Sequence, residues 1–378
     1  MRFIIQRDRL VQSVQDVMRA ITSRTTIPIL TGIKIMVTEE GVTLTGSDSD
    51  ISIESFIPKE EDGNEIVEVI ESGGIVLQAR FFNDIIKKLP TDLVEIQVSN
   101  HLQTIIRSGQ SEFNLNGLDP DEYPHLPQIT EGNMFSIAND LFKTIVRQTV
   151  FAVSTSETRP ILTGVNWQVE NDKLTCVATD SYRLAMRKIQ IETNNPAEYN
   201  IVIPGKSLSE LSKILDDSKE TVDIVITDNQ VLFKSKNLLF LSRLLEGNYP
   251  NTSQLIPTHN KTEMIIDTKE FLQSIDRASL LARDGQNNVV KLSTLENNHI
   301  EISSNTPEIG KVIEQLKSKS IEGEDLKISF SPKYMMEALK VLEGTEMNIK
   351  FTGAMSPFII QPTNDDSILQ LILPVRTY

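Results

Sequence analysis

Residues 26–32 read TIPILTG and residues 158–164 read TRPILTG, an offset of 132 positions. Self-similarity at a fixed period restricts the fold more than any local propensity, because each copy must be one structural unit. The offset extends: Val42-Thr-Leu-Thr-Gly-Ser-Asp48-Ser aligns with Leu174-Thr-Cys-Val-Ala-Thr-Asp180-Ser. A third, more diverged copy is visible as Ile300-Glu-Ile-Ser-Ser-Asn-Thr306-Pro, after the alternating segment Asn288-Val-Val-Lys-Leu-Ser293 and without the heptapeptide. A chain of 378 residues has room for two to four domains.

Each copy carries two amphipathic helical patterns. Apolar stripes at i, i+3/4, i+7 and i+11 occur at Leu10, Val14, Val17 and Ile21; at Phe142, Ile145, Thr149 and Val153; and at Phe271, Ile275, Ala278 and Ala282. A second set follows in each copy: Phe82, Ile85, Ile86, Leu89; Leu208, Leu211, Leu215; and Met335, Leu339, Leu342. Ser207 with Glu210 reads as a capping box, and Ser331 before Pro332 as an N-cap. Short β-type runs precede the second helices at Gly74–Leu77, Asn200–Ile203 and Leu326–Phe330, and period-two segments follow at Glu95–Ser99 and Val222–Ile226. Two similar Pro-rich stretches, around Tyr123-Pro124 and Tyr249-Pro250, separate the copies. The expected architecture is α+β: three tandem domains, 1–127, 128–256 and 257–378, each of antiparallel strands with two helices.

Net charge is −15, which by its sum opposes a nucleic-acid partner. The distribution points the other way. The six helical segments hold fourteen basic residues (Arg9, Arg19, Arg80, Lys87, Lys88, Lys143, Arg147, Lys206, Lys213, Lys269, Arg277, Arg283, Lys333, Lys340) against nine acids, a surplus of five. If every helix turns its apolar stripe to a sheet, the outward faces form a positive surface on an acidic body, suited to a polyanion. Phe82, Phe142, Phe271 and Tyr334 fall on the buried stripes, so stacking platforms for single-stranded bases are not expected, and duplex backbone contact without sequence reading is the better match.

A single cysteine, Cys176, excludes an internal disulfide framework and fits a reducing cytoplasm. The first residues lack a signal-peptide core, and no run approaches a membrane span. Pro204-Gly205-Lys206-Ser207 mimics the end of a phosphate-binding loop, but the first glycine of that motif would fall at Asn200. Asp48 and Asp180 occupy one repeat position, which a structural turn explains more simply than a metal. His101, His125, His259 and His299 read as loop residues with no paired nucleophile, so no catalytic residue, metal ligand or cofactor is expected. Leu280 lies nine residues from Phe271, about 180° around a helix, and faces away from the core stripe. The chain's last segment reads as a final strand with Leu371 and Leu373 on one side.

Three copies of a two-helix, strand-rich unit, with TIPILTG, ATDSYRLA at 178–185 and LILPVR at 371–376, resemble the bacterial DNA polymerase III beta subunit family, the sliding clamps, over essentially the whole chain. That resemblance implies a head-to-tail homodimeric ring, placed on duplex DNA by an ATP-driven clamp loader and tethering the replicative polymerase. It makes Arg24, Lys206 and Lys213 candidates for touching DNA. It implies a pocket for a short peptide shared by polymerases and repair proteins. The pocket residues are Leu162, Thr179, Tyr182, Arg183, Leu184, Pro250, Leu255, Met355, Leu371, Leu373, Pro374, Val375 and Arg376, with Arg183, Arg376 and Tyr182 as its polar groups. Tyr182 stands where better-known members commonly carry His, Ser181 where they carry Gly, and the chain runs on to Thr377-Tyr378. The same resemblance sets Leu280 and Leu281 against Phe113 at the subunit interface.

Overall fold

The computed structural model describes residues 1–99, 101–124, 133–192, 198–282, 288–307, 309–342 and 344–376. Arg283, His125 and residues 127, 128, 377 and 378, all used in the sequence reading, lie outside that set. The described residues form six α-helices: α1 (Arg7–Met18), α2 (Ala79–Ile86), α3 (Asn139–Thr149), α4 (Gly205–Ile214), α5 (Thr268–Ala282) and α6 (Pro332–Val341). Every described strand pairing is antiparallel. Contacts divide the chain into two compact units, Met1–Asn139 with Lys213–Leu244, and Asp140–Ser212 with the residues from Leu245 on.

The first unit contains an eight-stranded sheet in the order 133–138, 221–226, 230–235, 238–243, 51–58, 41–47, 32–38 and 73–78. A five-stranded sheet runs 111–116, 103–108, 93–98, 2–6 and 67–71. α1 and α2 lie against these strands, burying Leu10, Val14, Val17, Phe82 and Ile86. The second unit contains a nine-stranded sheet, 199–204, 164–170, 173–179, 183–190, 368–372, 358–362, 346–351, 262–267 and 320–323, and a four-stranded one, 310–317, 299–306, 290–294 and 327–330. Phe271, Ile275, Ala278, Met335 and Leu339 of α5 and α6 close one core with Phe330, Phe351 and Phe358. Strands of the central repeat thus extend the sheets of both neighbouring repeats.

The stripes are buried as expected, but the α-helices stop earlier than the apolar spacing suggests. Ile21, Leu89 and Leu215 lie just past the ends of α1, α2 and α4; Ala20 and Ile21 donate to the carbonyls of Val17 and Met18, a tightening to 3₁₀ geometry. Ser331 caps α6 by accepting from the Tyr334 amide. Ser207 does not cap α4. The strand Tyr199–Pro204 feeds directly into that helix, so Gly205 opens it and Ser207 sits buried in its first turn. His299 begins a strand instead of lying in a loop.

Helix boundaries also revise the charge count. Arg19 and Lys87 are C-caps, Lys88 and Asp216 lie beyond, and Arg7 is inside α1, so the helical spans hold eleven bases against eight acids, net +3. Only Arg147, Lys213 and Lys340 stand in last turns, where the backbone dipole favours them; Arg7, Arg9, Arg80, Lys206, Lys269 and Lys333 stand in first turns. One aromatic departs from the expectation: Phe81 of α2 is 52% exposed, so an exposed ring is present on the helical surface.

Candidate peptide pocket and nucleic-acid face

The duplicated heptapeptide builds one device twice. Pro28–Thr31 and Pro160–Thr163 each form a 3₁₀ turn in which the threonine hydroxyl donates to the proline carbonyl, at 2.8 and 2.7 Å. Gly32 and Gly164 then open strands where a side chain has no room: a Cβ would meet Val76 at 2.6 Å in the first copy and the Ile203 carbonyl at 2.7 Å in the second. The aspartates are structural, as the repeat suggested. Asp48 Oδ1 accepts from the Asp50 and Ile51 amides, and Asp180 Oδ1 from those of Tyr182 and Arg183, with Ser49 and Ser181 at φ 81° and 79° between them.

Chemistry diverges on the sheet face beyond this turn. In the first copy Thr45, Ser52 and Glu54 occupy it, and Ser47 and Ser52 share a hydrogen bond of 2.8 Å. The same positions plus 132 are Val177, Leu184 and Met186, which join Ile359, Leu369 and Leu371 in a buried apolar cluster with Ile256 packed on it. Leu184 pairs in register with Leu371, and the Leu373 amide donates to the Tyr182 carbonyl at 2.9 Å, although the strand itself ends at Ile372. Thr179 donates its hydroxyl to the Arg183 carbonyl and its amide to the Tyr249 hydroxyl, which draws Pro250 and the second linker over this floor. Burial pushes the Tyr249 phenol well above its ordinary range.

Of the other expected pocket residues, Tyr182 is 62% exposed, Leu255 50% and Met355 56%, with Pro250 and Arg376 also exposed and Leu373, Pro374 and Val375 half-buried. Leu162 is buried and its carbonyl accepts from Ser154; the Val375 amide donates to Ser329. Arg183 is not an open polar group. It is buried, paired with Asp180 at 3.0 Å and with Glu337, donates to the Phe151 carbonyl at 2.6 Å, and lies over the rings of Phe151 and Tyr334. It acts as a strut that ties the turn to α6. The sequence reading missed the floor residues Val177, Met186, Ile359 and Leu369; comparing outward positions across the 132-residue offset would have exposed the switch from polar to apolar.

Arg24 lies exposed after α1, and Lys206 and Lys213 are exposed on α4. Lys206 and Lys213 are seven residues apart, within about 20° of one helix face and ~10 Å apart along the axis. The spacing recurs at Arg80 of α2 and its C-cap Lys87 and at Lys333 and Lys340 on α6, a periodicity the charge count had hidden. Among the described residues Arg24, Arg80, Lys87, Lys333 and Lys340 make no ion pair, whereas Arg9 pairs with Glu61 and Arg277 holds Glu314 through two bonds of 2.6 Å.

Among the described residues, the strands 111–116 and 310–317 are two of several that end a sheet. Strand Ser111–Asn116 carries Phe113, 37% exposed, and strand Gly310–Lys317 carries Ile313, 49% exposed. On α5, which packs on the latter sheet, Leu280 is 60% exposed as its helical phase required and Leu281 is half-buried. An open edge with apolar neighbours is a template for pairing with another chain.

Three family descriptions match the chain in order: DNA polymerase III beta subunit, N-terminal domain, over residues 1–127; central domain, over 136–251; and C-terminal domain, over 253–376. The beta sliding clamp of Bacillus subtilis is 68% identical over the full length of both chains, and that of Halalkalibacterium halodurans 57%. The crystal structure of the DNA polymerase sliding clamp from Bacillus subtilis superposes with a TM-score of 0.98, again covering both chains completely. That of the DNA polymerase III beta chain from Streptococcus pneumoniae, 39% identical, does so with 0.95 and the same complete coverage.

Proposed function

The chain belongs to the DNA polymerase III beta subunit family, the beta sliding clamps, and from that premise we propose that two copies close head to tail into a ring around duplex DNA. In that ring the protein is a non-catalytic processivity factor, built of three domains per chain (1–127, 128–256 and 257–378), acting in the cytoplasm with a clamp loader. Among the described residues no helix is long and apolar enough to cross a membrane.

The observation that carries the nucleic-acid reading is the basic pair seven residues apart on the second helix of every repeat, its C-cap included. Lys and Arg spaced along a helix offer phosphate contacts without base contacts, so they bind weakly, independently of sequence and with strong salt dependence. Such contacts exchange readily, and enclosure supplies the retention that they do not. The open edges at 111–116 and 310–317 support closure, with Phe113 of one copy meeting Leu280 and Leu281 of the next. The apolar floor at Leu184 and Leu371, together with the exposed apolar side chains of Tyr182, Leu255 and Met355, supports docking of a polymerase or repair protein through a short peptide with apolar anchors.

The decisive experiment loads the protein on nicked circular duplex and then linearises the circle. Loss from cut DNA at a salt concentration that leaves circular complexes intact is expected; retention on linear DNA would replace enclosure by direct binding. In sedimentation, Phe113→Asp or Leu280→Lys should give monomers, and an unchanged dimer mass would remove those residues from the interface.

A further inference from the structure

Beyond the apolar floor, the same sheet face of the second compact unit continues into a cleft of about 520 Å³. Val177, Met186 and Ile256 belong to both, forming part of the floor cluster and part of the cleft lining. From the pair Val177–Met186 the strand register carries the wall away from the Asp180 turn, through Thr175 opposite Lys188 to Lys173 opposite Gln190. Thr252 and Ser253 of the second linker line it as well. Val177 and Lys173 are four strand residues apart, ~13 Å at about 3.3 Å per residue, so the lining has the length of a short extended peptide.

The lining changes character along that length. The end shared with the floor is carbon, whereas the far end holds Lys173 and Lys188 with one acid, Glu170, a surplus of one cation on a chain whose net charge is −15. Neither lysine makes an ion pair among the described residues. Lys188 is half-buried, and its backbone amide donates to the Ser367 carbonyl at 2.8 Å, which anchors the strand that carries it. The cations are peculiar to the second copy: 132 positions earlier stand Gly41 and Phe56, so the first copy has no cation at either place, just as it lacks the apolar Val177, Leu184 and Met186. Apolar floor and basic strip therefore occur together in one repeat and are missing together from the other.

We propose, on the docking reading given above, that this cleft receives the flank of a docked partner peptide and favours aspartate or glutamate there. The peptide's apolar anchors rest on the floor, and its carboxylates reach Lys173 and Lys188. Ammonium–carboxylate pairs at an open cleft are individually weak and are screened by salt, so the flank tunes affinity and partner choice while the anchors supply the grip. A nucleic-acid strand fits less well, because its phosphates would lie against the apolar side chains at one end and Glu170 at the other.

The test follows fluorescence anisotropy of a labelled peptide with Leu and Phe anchors on the full chain, its N-terminal or C-terminal flank being Ser-Ser, Asp-Asp or Lys-Lys. At low ionic strength Asp-Asp at one of the two ends is expected to tighten binding about fivefold over Ser-Ser, and Lys-Lys at that end to weaken it, both effects fading at high salt. Lys173→Glu combined with Lys188→Glu should reverse that order while changing affinity for the Ser-Ser peptide less than about twofold. Lys291→Glu combined with Lys327→Glu, the same charge change on exposed residues of the four-stranded sheet, should leave the order intact. Equal affinity for the three flanks at both ends, an Asp-Asp gain that survives reversal of Lys173 and Lys188, or one lost equally in the other double variant would overturn the proposal and leave apolar docking standing. Binding of the Ser-Ser peptide that ignores Leu184→Ser would overturn the docking reading itself, and the acidic flank with it.

Discussion

The sheet face after Asp48 and the one after Asp180 share a turn, a backbone register and a preceding heptapeptide, yet one is polar and the other apolar. Thr45, Ser52 and Glu54 in the first copy become Val177, Leu184 and Met186 in the second. Ile51, buried in the first copy, becomes Arg183, equally buried but held by Asp180, Glu337 and two aromatic rings. A framework that keeps its turns and glycines can therefore carry a different side-chain surface in each copy. The apolar floor is a property of one copy, not of the repeat.

The largest effect should come from the strut. Arg183→Ala leaves Asp180 and Glu337 without their buried counterion and should cost about 3–5 kcal/mol, read as a lowered urea midpoint. A loss below about 1 kcal/mol would mean that the two faces do not differ in how they are braced. Next, Leu184→Ser copies the polar first face onto the second and should weaken an apolar clamp-binding peptide by about 2 kcal/mol, near thirtyfold, in fluorescence anisotropy. The reciprocal Ser52→Leu should create no peptide site, because the first copy lacks the other apolar floor residues. Peptide affinity that ignores Leu184→Ser would locate the site elsewhere.

Glu54 gives a pH-dependent version of the same comparison. Burial raises its pKa, with Lys34 partly opposing, so the folded chain holds this proton more tightly than the unfolded chain does. Stability from this group is then greatest at low pH and falls as pH rises through the ordinary glutamate range and up to the raised folded value. Glu54→Met, the residue type at the matching position in the second copy, should stabilise by up to about 1 kcal/mol at pH 8 and by less near pH 4, measured as the difference between paired denaturation curves. An equal gain at both pH values would assign the effect to packing alone. The smallest and most symmetric effect belongs to the shared device. Thr31→Val and Thr163→Val each remove one hydroxyl-to-carbonyl bond and should each cost about 0.5–1 kcal/mol; a large inequality would show that the two turns are not energetically equivalent.

Much of this was legible in the letters because local spacing encodes it. The repeat shows as one motif spelled twice, and the buried stripes of Leu10, Phe142 and Phe271, the aspartate turns and the outward phase of Leu280 all follow from spacing within a single element or turn. Strand partners do not. Alternation marks 95–99 and 222–226 as strands, but no local rule shows that 51–58 pairs with 238–243 or 183–190 with 368–372, positions far apart in the chain. Arg183 was misread for the same reason: its spacing from Asp180 is visible, whereas Glu337 arrives from 154 residues away and turns an apparent pocket charge into a buried one. Helix ends were overextended where the apolar rhythm continues through the 3₁₀-type turns that follow α1, α2, α3 and α6.

The pairing of Leu184 with Leu371 also has a temporal meaning. Half of the apolar floor is translated about 190 residues before the strand that completes it. In the proposed docking, a ribosome-bound chain can fold its first sheets long before it offers partners anything to grip, so recruitment competence arrives only late in synthesis.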